Sequence, residues 1–161
     1  MDKKLEKTFN DQIKHELHSA YIYLAMAAYF ETKNLPGFAH WMKVQYKEEV
    51  AHAMKIFEFL NDRGVRVLLQ AIPQPTLEFS ASLEVFEETL KHEQKVTSLI
   101  NALYELAKKV NDHAAVVFLQ WFVSEQVEEE KNATVIVQTL KMIKSEGAPL
   151  IMLDRELARR E

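Results

Sequence analysis

Residues 43–57 read KVQYKEEVAHAMKIF, a helix-forming run in which Glu49 and His52 interrupt an apolar seam. The seam continues at helical spacing in both directions, back to Phe38 and forward to Phe59. A Glu and a His at this spacing lie on one face of a helix, one turn from each other. Because such a seam packs against other helices, its polar groups need partners there. The run therefore predicts a helical bundle with a polar layer in its core.

The same pattern of donors recurs in the second half of the chain. Two sets share the same internal spacing, and every member of the second set follows its counterpart by the same interval: Glu16, Glu49 and His52, then Glu93, Gln126 and Glu129. Within each set the outer members lie equally far on either side of a turn, near position 34 for the first set and near position 111 for the second. The middle member lies one helical turn nearer, so antiparallel helices bring each set to one depth. Six O and N donors at one level indicate a place where metal could sit between helices.

Composition favours a single all-α domain over residues 1–161. Of the 161 residues, 48% are hydrophobic, and only three are glycine and four proline, which suits long helices around a real core. A net charge of −4 makes nucleic acid an unsuitable partner. The absence of cysteine excludes disulfides, thiolate zinc sites and Cys-ligated iron–sulfur clusters.

Two sequence features bear on the cellular location, namely the N-terminal residues and the length of the apolar runs. Residues 1–7 are charged throughout and do not resemble a signal peptide. No run of about 18 apolar residues is present, so no membrane-spanning segment is expected. We expect a cytoplasmic protein.

Capping residues and prolines predict four long helices, which together form a bundle over residues 4–146, and a short helix at the C-terminus. The predicted bounds are Lys4 to Thr32, Pro36 to Arg63 with Gly64 as cap, Ser82 as N-cap to Val110, Asn111-Asp112 as cap to Glu146, and 149–160. The stretch from Val65 to Ala81 is irregular and can span about 55 Å at ~3.3 Å per residue, more than a helix length. It predicts one long crossover.

The short terminal helix is amphipathic. Its apolar residues need a surface on this subunit or on another copy, while the other face is polar, with Asp154, Arg155, Arg159 and Arg160.

Four buried carboxylates cannot coexist as anions without compensation, because each desolvated ion costs several kcal/mol. No lysine or arginine shares their seams nearby. Either the carboxyls are protonated or cations neutralise them. Carboxylate with imidazole favours iron, manganese or zinc.

The chain closely resembles prokaryotic non-haem ferritins over essentially its whole length. The resemblance is carried by Glu16, Glu49-Val-Ala-His52, Lys91-His-Glu-Gln94 and the run FLQWFVSEQVEEEK at 118–131. It implies a ferritin-like fold, a ferroxidase that oxidises Fe(II) at a di-iron centre with O2 or peroxide, and storage of ferric mineral in a hollow homo-oligomeric shell, usually of 24 subunits.

Site roles follow from the resemblance by position. It implies that Glu16, Glu49 and His52 hold one iron and that Glu49, Glu93 and Glu129 hold the other, with Gln126 as a hydrogen-bonding or weak ligand. It also implies a third iron site, formed by Glu48, Glu125 and Glu128 with Glu129.

Two aromatic residues and five histidines near these donors are open to more than one interpretation. Tyr23 either bonds a ligand or donates an electron, or else packs as an ordinary core tyrosine, and Trp121 carries the same alternatives. The other histidines lie off the ligand seam and are interpreted as surface or packing residues: His15, His18, His40, His92 and His113.

Related families fit less well. Bacterioferritins carry a haem-ligating Met inside the first Glu-x-x-His pair, where this chain has Val50-Ala51, so no haem is expected. Two alternatives remain open, namely a related di-iron oxygenase or peroxidase, and a non-catalytic helical interaction module whose polar layer sets helix register.

Overall fold

The computed structural model describes residues 1–144 and 146–161, which form five helices and no strand. The helices are α1 (Lys3–Thr32), α2 (Pro36–Asp62), α3 (Ser82–Lys109), α4 (His113–Met142) and α5 (Gly147–Leu157). Helix α1 packs along α2, α3 packs along α4, α1 also contacts α3, and α5 lies on α2. The predicted bundle of four long helices, one long crossover and a short fifth helix is confirmed at the level of element order.

The two short connections use the same turn chemistry. Asn34 and Asn111 have φ values of 55° and 56°, a left-handed conformation that asparagine adopts more readily than most residues. Asp112 then caps α4 by accepting from the Ala115 amide at 3.1 Å, as predicted. Gly64, with φ 67°, follows the C-cap of α2. The two turns are separated by the same interval as the two donor sets, so each set lies equally far along the bundle from its own turn.

Several predicted helix ends were wrong by a few residues. Helix α4 ends at Met142 rather than Glu146, because the chain turns back at Lys144, which has φ 58°; the predicted stretch included Ser145, which lies outside the described residues. Helix α5 begins at Gly147, ahead of Pro149. The N-cap of α3 is Ala81, and Ser82 is the first helical residue.

The helical spacing of the sequence also predicts a seam in α3, and this prediction was half wrong; its members are Leu83, Phe86, Leu90, Glu93, Thr97, Ile100 and Tyr104. Phe86, Glu93 and Ile100 are buried as expected. Four other seam residues are only half-buried: Leu83, Leu90, Thr97 and Tyr104. The helix buries instead a second line on the other side of Phe86: Val85, Thr89, Val96 and Leu103. A helix packed against several neighbours buries a face wider than a heptad seam, and the tertiary contacts choose which flank is covered.

Helix α5 packs on this subunit through Leu153 and Leu157, while Ile151 and Met152 of the same helix are exposed. Asp154 was predicted on the polar face, but it is buried: its Oδ1 accepts from the amides of Gly37 and Phe38 at 2.8 and 3.0 Å. These amides belong to the first turn of α2, which has no intrahelical partner for them. A Cβ at Gly37 would lie 1.6 Å from the Asp154 carbonyl oxygen, so only glycine permits this close packing.

Two apolar clusters fill the two ends of the bundle. One lies around Phe30 and Phe86, and the other lies around Phe9 and Ile100. The polar layer lies between them.

Candidate metal centre

Each long helix contributes one carboxylate to the buried polar layer. The four are at most 4% exposed: Glu16 on α1, Glu49 on α2, Glu93 on α3 and Glu129 on α4. No arginine or lysine among the described residues makes an ion pair with any of them. The layer therefore holds a concentration of acidic groups without a protein cation to neutralise it.

The first donor set forms a compact group. One ligand atom from each of Glu16, Glu49 and His52 lies within 4.8 Å of the others, and all three residues are buried. The Oε2 atom of Glu49 lies 3.7 Å from Nδ1 of His52 and has no hydrogen-bond partner. A buried carboxylate oxygen without a donor is costly unless a cation meets it. Two carboxylates and an imidazole therefore form a group that could bind a metal ion.

Hydrogen bonds orient the carboxylate of Glu93. Tyr23, which is fully buried, donates its hydroxyl to Glu93 Oε1. Gln126 donates from Nε2 to Glu93 Oε2 at 3.2 Å and to Thr97 Oγ1 at 3.3 Å. Of the alternatives for Tyr23, the structure thus gives the hydrogen bond to a predicted ligand.

Glu129 is held from across the bundle. Gln45 on α2 donates from Nε2 to Glu129 Oε2 at 2.8 Å. A second close group joins Glu129 to His52 and Glu125, while the set Glu49, Glu93 and Glu129 is not among the close groups found in residues 1–144 and 146–161. In this arrangement Glu93 and Glu129 each accept hydrogen bonds from side chains of other helices.

Sequence reasoning missed two glutamines of the layer. Gln12 is buried and donates to Glu16 Oε1 at 2.8 Å, and Gln45 is buried beside Glu129. Each lies one helical turn before a predicted ligand, so the interval between them equals the interval between Glu16 and Glu49. Applying the interval within the first donor set one helical turn closer to the N-terminus of each helix would have found both glutamines.

Burial controls protonation in this layer. Desolvation raises the pKa of Glu16 to about 7, against a hydrogen bond from Gln12 that lowers it. Desolvation, and then repulsion from Glu93, raises the pKa of Glu129 to about 8. Burial, and then repulsion from Glu16 and Glu93, also raises the pKa of Glu49. Near neutral pH several of these carboxyls hold protons that a cation could replace.

His52 is neutral in the same environment. Burial, with a smaller contribution from the positive charge of Lys55, lowers its pKa to about 4. A neutral imidazole has a free nitrogen lone pair, which a metal ligand requires. His52 is therefore ready to bind a cation at neutral pH.

A second acidic region lies outside the layer. The Oε1 atom of Glu125 lies 3.9 Å from His52 Nε2. Glu48 accepts from Arg160 Nη2 at 2.6 Å, and Glu128 is exposed. Burial raises the pKa of Glu48, and the nearby charge of Arg160 opposes this rise. The negative charges of Glu125 and Glu128 raise the same pKa further, so the three carboxylates repel one another. They are called the outer carboxylates below.

A surface cavity connects the outer carboxylates to His52. It has a volume of about 420 Å³, and its lining includes Glu48, His52, Lys55, Trp121 and Glu125. The Trp121 ring meets the His52 ring edge-on at 5.3 Å, and Lys55 Nζ lies 4.0 Å from the Trp121 ring centroid. Trp121 thus covers one side of His52 and is itself 38% exposed.

The remaining histidines do not join either close group among the described residues. His92 is packed against Tyr23 and lies 2.7 Å from Ser19 Oγ through Nε2, and His40 lies 2.7 Å from the Arg160 carbonyl. These contacts agree with packing functions.

Comparisons with known families and proteins show to which family the chain belongs. A family model described as "Ferritin-like domain" matches residues 6–143. The chain belongs to the ferritin family. It is 41% identical over 99% of its length to a "Bacterial non-heme ferritin" of Staphylococcus saprophyticus, of which it covers 96%. A protein of the same name from Staphylococcus aureus strain USA300 is 38% identical, again over 99% of this chain and 96% of the relative.

Solved ferritin structures agree with the fold. The chain superimposes with a TM-score of 0.99 on the open pore ferritin of the archaeon Archaeoglobus fulgidus, at 45% identity, covering 100% of this chain and 99% of that one. This likeness confirms the ferritin-like four-helix bundle with a short C-terminal helix. Among the described residues, no helix is both long and apolar enough to cross a bilayer.

Proposed function

We propose that this ferritin oxidises Fe(II) at the buried polar layer and stores the ferric product as mineral inside a homo-oligomeric shell. Iron storage is the function that family membership supports. The observation that carries the ferroxidase proposal is the group of Glu16, Glu49 and His52, where one buried carboxylate oxygen has no hydrogen-bond donor and, among the described residues, no lysine or arginine forms an ion pair with either carboxylate.

Iron is the substrate, and we assign its ligands as follows. Glu16, Glu49 and His52 hold the first ion; Glu49 bridges to a second ion, which Glu93 and Glu129 hold. The carboxyl protons leave as Fe(II) enters, because two divalent ions compensate the buried negative charge, whose desolvation and mutual repulsion raise these pKa values. Each ion then loses one electron, and O2 takes both electrons and two protons to give peroxide.

The protein's own groups set the geometry of the second position. Tyr23 and Gln126 donate to the two oxygens of Glu93, and Gln45 donates to Glu129. As iron approaches, these donors keep one lone pair of each carboxylate engaged and orient the other toward the metal. Because the second position lacks an imidazole, we expect it to bind iron more weakly than the first and to release it sooner.

The outer carboxylates provide a further iron-binding site beside the buried centre. Glu125 lies near His52 and lines the cavity described above together with Glu48, while Glu128 acts on both carboxylates through its charge. We assign a third iron site to these residues. Its position at the cavity suits an ion in transit between the buried centre and solvent.

Storage requires enclosure, which one bundle cannot supply. Large apolar side chains are exposed on three parts of the surface: Leu69 on the crossover, Val127 and Met142 on α4, and Met152 on α5. Packing such side chains between subunits would remove apolar surface from water, which favours association. We infer self-assembly into a shell, and the relatives' family leads us to expect 24 subunits.

An oxygenase or peroxidase with an organic substrate is the competing enzyme function. Such an enzyme needs an apolar cavity beside the metals. The cavity that adjoins His52 is open to the surface and carries four charged residues beside Ala51, Met54 and Trp121; the charged residues are Glu48, Lys55, Glu58 and Glu125. This lining favours an ion as substrate. A helical module with only a structural polar layer would bind no iron.

The test is aerobic addition of Fe(II) to the purified protein, followed by ferric absorbance and by the mass of the intact particle. We expect oxidation to continue beyond two irons per chain in a large particle. Glu49→Ala and His52→Ala should abolish rapid oxidation and leave assembly intact, while Asp62→Ala, at an exposed position of the same helix away from the cavity, serves as the matched control. Saturation at two irons in a small oligomer would contradict storage, and no oxidation would contradict both enzyme functions.

A further inference from the structure

Arg160, near the C-terminus, folds back onto α2 and is held there at three points. Its Nη2 donates to Glu48 Oε2 at 2.6 Å. Its guanidinium carbon lies 4.4 Å from the centroid of the Trp41 ring. Its carbonyl oxygen lies 2.7 Å from Nε2 of His40. The side chain and carbonyl of Arg160 are therefore bound to the helix that carries Glu48 and two of the three residues of the first donor set.

The contact with Glu48 occupies one of the outer carboxylates. Glu125 and Glu128 repel the charge of Glu48, and Arg160 is the cation that offsets this repulsion. The second cation of the region, Lys55, lies over the Trp121 ring and acts on Glu125 instead. The guanidinium thus occupies Glu48 Oε2, an oxygen that would otherwise be available to a metal ion.

The guanidinium is held incompletely. The other terminal nitrogen, Nη1, is buried and has no hydrogen-bond partner. A buried donor without an acceptor costs free energy, more so on a charged group. Because Arg160 is stabilised by one carboxylate and one ring but loses hydration at Nη1, its hold on Glu48 is one that a divalent ion can break.

We propose that Arg160 is a built-in competitor for the outer metal site, and that a divalent ion binding to Glu48 displaces the guanidinium and frees the chain end from α2. This inference rests on the outer site of the proposed function. The exchange replaces one monovalent cation on Glu48 by a divalent ion, to which Glu125 and Glu128 supply further oxygens. The outer site therefore binds metal after the buried centre does, and metal binding there releases the C-terminal residues from α2.

The experiment measures binding of Zn(II), which does not change oxidation state, by calorimetric titration of the full assembled chain. Arg160→Gln is compared with Arg159→Gln, which removes the same charge from an exposed neighbour. We expect Arg160→Gln to tighten the weakest class of sites about tenfold, since a charge-assisted hydrogen bond no longer competes. Arg159→Gln should leave all classes unchanged, and Arg160→Lys, which keeps a cation, should fall between.

Hydrogen exchange supplies a readout that is independent of affinity. In the wild type, saturating Zn(II) should speed exchange of the amides of residues 158–161 at least severalfold, and Glu48→Gln should abolish this response. Equal Zn(II) affinities in Arg160→Gln and Arg159→Gln, or the lack of a third class of sites, would overturn the proposal. Fe(II) oxidation by the same preparations separates the two ideas, because its loss in the wild type would contradict the proposed function itself.

Discussion

Gln45 on α2 donates to Glu129 on α4 at 2.8 Å, and this hydrogen bond links the two halves of the chain inside the polar layer. The carbonyl oxygen of the same amide, Oε1, is buried and has no partner. The pKa of Glu129 is raised to about 8, chiefly by burial, and the hydrogen bond from the Gln45 amide nitrogen opposes this rise. Gln45 thus controls how easily Glu129 gives up its proton to a metal ion.

Gln45→Leu keeps the volume of the side chain and removes the donor. The pKa of Glu129 should rise further, so the pH at which Zn(II) half-saturates the weaker buried position should also rise. The cost in binding near neutral pH should be about 1 kcal/mol, the net value of one such hydrogen bond. Titration at several pH values measures it. Gln120→Leu, on the exposed side of α4, is the control, and an unchanged pH midpoint in Gln45→Leu would refute the assignment.

The stability of the metal-free protein should depend on pH through its buried carboxyls. The pKa values of Glu16 and Glu129 are raised from 4.5 to about 7 and about 8. The folded state therefore binds more protons than the unfolded state in this range, and the free energy of unfolding falls as pH rises from 6.5 to 8. Below pH 6.5 the lowered pKa of His52 acts in the opposite direction.

Thermal unfolding of the metal-free protein between pH 6.5 and 8 measures this loss, which we expect to be about 1 kcal/mol per pH unit for each carboxyl that titrates. Glu129→Gln should flatten the curve, whereas Glu128→Gln, at the exposed neighbouring position, should not. Bound Zn(II) should also flatten the curve by replacing the protons. A wild-type midpoint that rises over this interval would contradict the buried charge arrangement.

Tyr23→Phe tests whether the hydroxyl positions Glu93. The ring remains to fill the core, so the fold and the assembly should be preserved, and removal of a donor–acceptor contact should cost about 1 kcal/mol. We expect initial Fe(II) oxidation to slow about fivefold, in proportion to that cost. Tyr21→Phe, on the exposed side of the same helix, is the control. If both variants oxidise iron at the wild-type rate, Tyr23 serves only packing.

Asp154→Ala tests how α5 is fastened. The change removes the acceptor of the Gly37 and Phe38 amides and should lower the free energy of unfolding by about 1–2 kcal/mol, as the loss of a helix cap does. Hydrogen exchange should quicken at residues 36–39 and 147–157. Glu156→Ala, exposed on the same helix, should have no such effect. Unchanged protection of the first turn of α2 would show that Asp154 does not cap it.

The match between the repeat and the turns shows why the architecture was accessible from sequence. The interval between Asn34 and Asn111 equals the shift between the two donor sets, and both asparagines adopt the left-handed conformation that ends one helix before the next begins. Turn chemistry and helical spacing are local properties, so residues equally far from two equivalent turns reach the same depth. The end of α4 was misjudged because Lys144, unlike glycine, carries no sequence signal for the positive φ it adopts.

The sequence by itself determined the all-α class, the four long helices with their crossover, and the presence of carboxylates at one level, because these depend on periodicity and capping. Only the tertiary structure decided which flank of α3 is buried, where Asp154 and Arg160 bind, and which donors hold Glu93 and Glu129. These features depend on how each helix is rotated about its axis and on the reach of long side chains between helices. Such contacts join residues far apart in the chain, and no local pattern specifies them.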